Sequence, residues 1–95
     1  MAVLLKFRVA GQSLASYEQI AKEISEAERI REARGFIAQA VYETSDGVEA
    51  IEIWESVKLW KAWDSQFRPE VDRRLVGEHP HLEDEVINIH NLVLA

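Results

Sequence analysis

IEIWESVKLWKAWDSQF, residues 51–67, changes its hydrophobic period halfway along and holds all three tryptophans of the chain. Up to Glu55 the side chains alternate, the signature of a strand. After Ser56 the apolar positions Leu59, Trp60, Trp63 and Phe67 recur at three and four residues, the signature of a helix with one apolar stripe. The spacing therefore predicts a strand that runs almost directly into a helix, with Ser56 as its N-cap.

Upstream of this junction, Asp46-Gly47 within Thr44 to Gly47 is a hairpin signal. It joins a strand over residues 36–43 (FIAQAVYE) to the strand over 48–55, so these two are antiparallel neighbours. Before them, Leu14, Tyr17, Ile20, Ala21, Ile24, Ala27 and Ile30 predict one long amphipathic helix, capped by Ser13 and stopped at Gly35. Arg29, Arg31 and Arg34 lie among Glu26, Glu28 and Glu32 and read as a mixed, solvated face. Residues 2–10 (AVLLKFRVA) predict the first strand, with Val3, Leu5, Phe7 and Val9 on one side. Downstream, Pro69 predicts a break or kink near Arg68. A polar loop over residues 77–84 leads to a last strand from about Glu85 to Leu94.

The order βαββαβ, with two long crossovers and one hairpin, is that of the α+β ferredoxin-like fold: a four-stranded antiparallel sheet with its helices on one face. Leu4, Ala50, Trp54 and Leu92 are expected on the other face. That face is too apolar to leave in water, and a second copy is its simplest cover, which predicts a symmetric homodimer.

Composition narrows the function classes. The 95 residues, 47% hydrophobic and 29% charged, make a single domain, 1–95. A formal net charge of −6 argues against a nucleic-acid partner, because phosphate-backbone binding needs clustered Lys and Arg. No apolar run approaches the roughly 20 residues needed to span a bilayer, so no membrane partner is expected. The absence of cysteine removes disulfides and thiolate chemistry and suits a reducing cytoplasm. No Ser-His-Asp order or phosphate-binding glycine loop is present.

Glu52-Ile53-Trp54-Glu55-Ser56, followed by the aromatic helix and Phe67-Arg68-Pro69, resembles the strand-to-helix signature of the dimeric α+β barrel superfamily. More narrowly, it is similar to the antibiotic-biosynthesis-monooxygenase-like domains. The resemblance implies a homodimer whose sheets face each other as a barrel, with a ligand cavity between sheet and helices in each subunit. It also implies activities ranging from cofactor-free oxygenation of polyphenols to haem degradation, alongside inactive relatives. Trp63 matches the tryptophan that the haem-degrading branch places against the porphyrin. Arg73, however, stands where that branch has its iron-ligating histidine, and Lys6 and Phe7 stand where it has an asparagine, so no cofactor is expected.

Trp60, Trp63 and Phe67, with Trp54 and Tyr42, are candidates for the wall of a site for an apolar or aromatic ligand, and equally for ordinary core. Glu52, flanked by Ile51 and Ile53, reads either as a desolvated general base or as an ion-pair partner of Lys6 or Arg8. His90 reads as a second proton-transfer candidate or as a hydrogen-bonded interface residue. His79-Pro80-His81 lacks a defined third ligand, so no metal site is expected. Two function classes follow: a cofactor-independent monooxygenase-like enzyme, or a non-catalytic dimeric ligand sensor or scaffold.

Overall fold

The computed structural model describes residues 1–74 and 84–95. Its elements, in chain order, are β1 (Val3–Ala10), α1 (Leu14–Glu23), α2 (Glu26–Glu32), β2 (Phe36–Thr44), β3 (Gly47–Trp54), α3 (Val57–Arg74) and β4 (Glu85–Asn88). The four strands form one sheet in the order β2-β3-β1-β4, and each neighbouring pair is antiparallel. This is the ferredoxin-like α+β arrangement that the hydrophobic periods predict.

The register settles which side chains face the helices. Val3 pairs with Trp54, Leu5 with Glu52 and Phe7 with Ala50, so these six side chains share one face of the pleat. Val3, Leu5 and Trp54 join Ile30 and Trp60 in the buried core, against which Phe7, Phe36, Leu59 and Trp63 also pack. Ala50 and Trp54 therefore lie on the helix face, where the sequence placed them on the opposite one. The reason is the pairing with β1: Val3 and Leu5 are buried under the helices, and their direct partners on β3 must follow. The outer face carries Leu4, Lys6 and Arg8 opposite Ile53, Ile51 and Glu49.

Three other expectations give way to local physics. The long first helix is two helices, because Ser25 sits in the left-handed region at φ 55°. The Ile24 carbonyl at this break accepts a hydrogen bond from Arg29 Nη1 at 3.3 Å, which replaces an intrahelical donor. Helix α3 runs unbroken through Pro69. Pro69 is exposed, so the carbonyl that its missing N–H would have served faces solvent and can bond to water. Strand β4 ends at Asn88 rather than Leu94. Asn88 pairs with Val3, the first residue of β1, and after Ile89 N–H donates to Ala2 O at 3.0 Å the partner strand runs out. Leu92 is consequently not on a strand.

The caps at Ser13 and Ser56 form as read: Ser13 Oγ accepts from Ser16 N–H at 3.1 Å and Ser56 Oγ from Leu59 N–H at 3.2 Å. Gly35 does more than stop a helix. Its φ is +88°, its carbonyl accepts from Glu55 N–H at 2.8 Å, and a Cβ there would lie 2.5 Å from Leu59 Cδ1. Both the backbone conformation and the space exclude a side chain. Gly35→Ala should therefore cost about 2 kcal/mol or more of unfolding free energy in urea titration, from left-handed strain and the forced displacement of Leu59.

Candidate functional site

Alternation on the sheet and the helical stripe on α3 meet at one cavity. Its floor is Phe7 from β1 with Val48, Ala50 and Glu52 from β3, every second residue of one strand face. Its roof is Trp63, Asp64, Phe67, Arg68 and Val71, one side of α3. Tyr17 and Ile20 of α1, Glu26 of α2 and Gln12 of the preceding loop close the sides. The cavity is half open to solvent and its volume is about 90 Å³. Since roughly 10–15 Å³ by this measure holds one water, that is room for several waters or one small ring. A second cavity of about 230 Å³ lies beneath α1 and α2, and Tyr17 and Glu26 line both spaces. These two side chains are thus the wall between them.

The aromatic roof is built by packing. Trp63 and Phe67 stack with centroids 4.6 Å apart and planes 20° from parallel, and Trp63 leans on Trp54 at 6.3 Å. Arg29 of α2 covers both rings, its guanidinium 6.0 Å from the Trp63 centroid and 5.4 Å from that of Phe67. A 2.7 Å bond to Glu70 holds it there, and the guanidinium keeps that carboxyl below the usual range. Arg29 is therefore a packed strut between α2 and α3, not part of a solvated face.

Polar chemistry concentrates on Glu52. The carboxylate is 7% exposed and accepts from Trp54 Nε1 at 2.9 Å and from Gln39 Nε2 at 3.0 Å. Gln39 also donates to Glu26 Oε1 at 2.8 Å, and the Tyr17 hydroxyl donates to both Glu26 oxygens at 2.9 Å. Two buried carboxylates are thus bridged by one amide, and neither has a cationic partner among the described residues. Lys6 and Arg8 lie on the other sheet face and pair with Glu49, at 3.3 and 3.7 Å, which corrects the ion pair expected for Glu52. Burial pushes the Glu52 pKa up, against the two hydrogen bonds, with the Glu26 and Asp64 charges adding to the rise. Burial, then the Glu26 charge, pushes the Tyr17 hydroxyl up strongly. Arg68, the cation among the described lining residues, is occupied by Asp64 at 3.1 Å and Asp84 at 2.6 Å. The site is acidic, and Glu52 holds its negative charge reluctantly.

The candidates separate cleanly by position. Glu52, Trp63 and Phe67 line the cavity. Trp54 is fully buried behind it and reaches it through Glu52 and Trp63. Trp60 packs on Phe7, with centroids 5.9 Å apart, and is core rather than lining. Tyr42 pairs with Glu49 on β3 and is exposed on the outer face, where that carboxylate raises its pKa. His90 is exposed, beyond the end of β4. His79-Pro80-His81 lies outside the described residues, and among those described no group of three or more His, Asp or Glu is placed to hold a metal.

Sequence reasoning missed Glu26, Tyr17, Gln39 and Gln12. The available signals were the pairing of Gln39 with Glu52 and the i,i+4 spacing of Glu26 with the apolar Ile30. Haem does not fit the residues described: the space between them is far too small for a porphyrin, and no histidine is among the described lining residues.

No protein-family model matches this sequence, and no curated protein is similar to it in sequence. Solved structures do match. Rv0793 from Mycobacterium tuberculosis superposes with a TM-score of 0.71 at 14% identity, covering 99% of this chain and 100% of that one. SnoaB, a cofactor-independent oxygenase from Streptomyces nogalater, gives 0.68 at 11%, covering 97% and 95%. The heme-degrading protein Rv3592 from Mycobacterium tuberculosis gives 0.61 at 14%, covering 98% and 99%. The chain has the fold of the antibiotic-biosynthesis-monooxygenase-like proteins. The same fold carries different chemistries in these neighbours, so function has to come from the site.

A carboxyl whose folded-state pKa lies above the roughly 4.3 of an unperturbed glutamate binds its proton more tightly in the folded state. Its contribution to stability is therefore full at acid pH and is lost as pH rises through the folded pKa. Glu52→Gln should match the wild type near pH 4 and melt higher near pH 7, with the gap opening between. A thermal denaturation series across pH measures it, and a gap independent of pH contradicts the assignment.

Proposed function

We propose that the protein binds a small, neutral aromatic metabolite with an ionisable hydroxyl between sheet and helices, and acts on it as a cofactor-independent monooxygenase-like enzyme. The observation that carries this reading is a buried Glu52, without a cationic partner among the described residues and with a raised pKa, on the floor of a cavity roofed by Trp63 and Phe67. A carboxylate in such surroundings is a stronger base than one in water, and its pKa lies closer to the operating pH. The surplus of acidic groups around the cavity disfavours an anionic ligand and favours one that arrives neutral and gives up a proton inside.

Glu52 takes that proton, and the resulting electron-rich anion reacts with dioxygen at an activated CH₂ carbon. Atoms and electrons balance without an external reductant: CH₂ and O₂ become C=O and H₂O. The protein's part is to hold the ring against Trp63 and Phe67 and to keep the proton on Glu52 beside the anion, where the carboxylic acid donates a hydrogen bond to it. The oxygenase activity of SnoaB on the same fold supports this reading. A ligand of more than one ring needs Tyr17 to leave Glu26, which would join the two cavities.

We also infer a homodimer formed through the outer sheet face. Leu4, Ile51 and Ile53 are only half-covered there, and Ile87 of β4 is 44% exposed. A second copy buries this stripe, and Lys6, Arg8 and Glu49 supply polar contacts at its hairpin end. Such a dimer without cysteine suits a cytoplasmic location.

Two measurements test these proposals. Oxygen uptake with a panel of phenols bearing an activated CH₂ should be reduced at least about 100-fold by Glu52→Gln, by analogy with the loss of a general base. Trp63→Ala should abolish turnover with the circular dichroism unchanged. Uptake in the wild type that survives both substitutions would refute the site, and no uptake with any ligand that binds would favour the non-catalytic sensor. For the interface, sedimentation of the wild type should give twice the chain mass of 10.9 kDa. Ile53→Glu should give the monomer, because it places a charge in an apolar contact.

A further inference from the structure

Strand β2 carries one residue more than its partner β3 can match. Phe36 pairs with Trp54 and Ala38 with Ile53, so Ile37 is an extra residue between them and the pairing shifts by one from there on. In an unbroken ladder Gln39 would stand opposite Ile51, on the outer face of the sheet. With the bulge it stands opposite Glu52, on the helix face, and its amide reaches that carboxylate. Bulges recur beside active sites because they re-aim a side chain in this way.

The amide has one orientation there. Its Nε2 donates to Glu52 Oε2 at 3.0 Å and to Glu26 Oε1 at 2.8 Å, whereas a flipped amide would set carbonyl lone pairs against two carboxylates. Glu26 is held in turn by the Tyr17 hydroxyl, at 2.9 Å from both its oxygens. On the other side, the indole of the fully buried Trp54 donates to Glu52 Oε1 at 2.9 Å. Each oxygen of Glu52 thus has one fixed donor, and rotating the carboxylate plane breaks a bond. Gln39 is not among the described residues that line the cavity beneath α3; it lines the second cavity and reaches Glu52 from behind.

We propose that Gln39 is the positioning residue of this site: anchored on Glu26, its amide fixes the plane in which the Glu52 carboxylate takes the ligand's proton and returns a hydrogen bond to the anion. This rests on the base assigned to Glu52, and the test separates the two.

Gln39→Met keeps the length of the side chain and removes both donors. Tyr17 of α1, Glu26 of α2 and Asp64 and Arg68 of α3 are the described titratable groups that line the cavity with Glu52, and all remain in the variant. Carbon-13 NMR, started near pH 4 where the protonated acid needs no donor, should place the Glu52 midpoint above that of the wild type, because a bond to the charged form is lost. A residue that only packs predicts the reverse, since a loosened strand admits water and lowers the midpoint. The melting temperature should fall short of the wild type least near pH 4 and most near pH 7, because a carboxyl with a raised folded-state pKa loses its contribution as pH rises. In oxygen uptake, the rising limb of kcat/KM should move to higher pH. On the alkaline plateau, where Glu52 is ionised in both proteins, kcat should fall on the order of 100-fold with KM little changed, the cost of a misaligned base. An unmoved or lowered midpoint, a melting deficit equal at every pH, or an unchanged plateau kcat each overturns the positioning role and leaves Glu52 as the base. If the wild type oxidises no phenol, the enzyme reading falls and this inference with it.

Discussion

The hydrogen bond from the Trp54 indole N–H to Glu52 is the interaction on which the rest depends. Trp54 is fully buried, and an indole buried with its N–H unpaired would be costly. An acceptor two residues back on the same face of β3 buries the ring and satisfies the N–H together. Glu52 is that acceptor at 2.9 Å. Once Trp54 is in the core, Glu52 has to face the helices, and a carboxylate is carried into apolar surroundings without a cationic partner among the described residues. Its raised pKa is therefore a consequence of how the core is closed.

Much of this is legible from periodicity and little of it from residue type. Element order follows from the change of period at Ser56, the hairpin at Asp46-Gly47 and the stop at Gly35, because each is a local backbone requirement. Which face Glu52 occupies is a matter of strand register, and register depends on the partner strand rather than on β3 itself. Glu26 escaped for a related reason. In an unbroken helix from Leu14, at 100° per residue, Glu26 would project well off the stripe of Tyr17, Ile20 and Ile24. The left-handed Ser25 redirects the chain and brings Glu26 to the cavity. No propensity rule marks Ser25 as that point. His90 was displaced by the reverse effect, since a strand pattern lasts only as long as its partner strand.

The carboxylates also explain why a likeness of fold is not a likeness of chemistry. The sheet and α3 leave a space between layers in this chain, and its chemistry is set by the residues that line it. Here the lining combines stacked Trp63 and Phe67 with an amide-bridged pair, Glu52 and Glu26, and Arg29 locks the roof from outside. The tyrosine that bonds Glu26 also divides the space in two, so the acid network and the size of the usable cavity are set by the same contact.

The central claim is that Glu52 is a buried acid with a raised pKa facing the cavity, and carbon-13 NMR titration of the glutamate side-chain carboxyls tests it directly. The resonance absent from Glu52→Gln should titrate clearly above the roughly 4.3 of an unperturbed glutamate, and its midpoint should fall in Trp63→Ala, where water enters. A midpoint at or below the ordinary value would mean that Glu52 is solvated or ion-paired in solution, and the base assigned to this cavity would be lost.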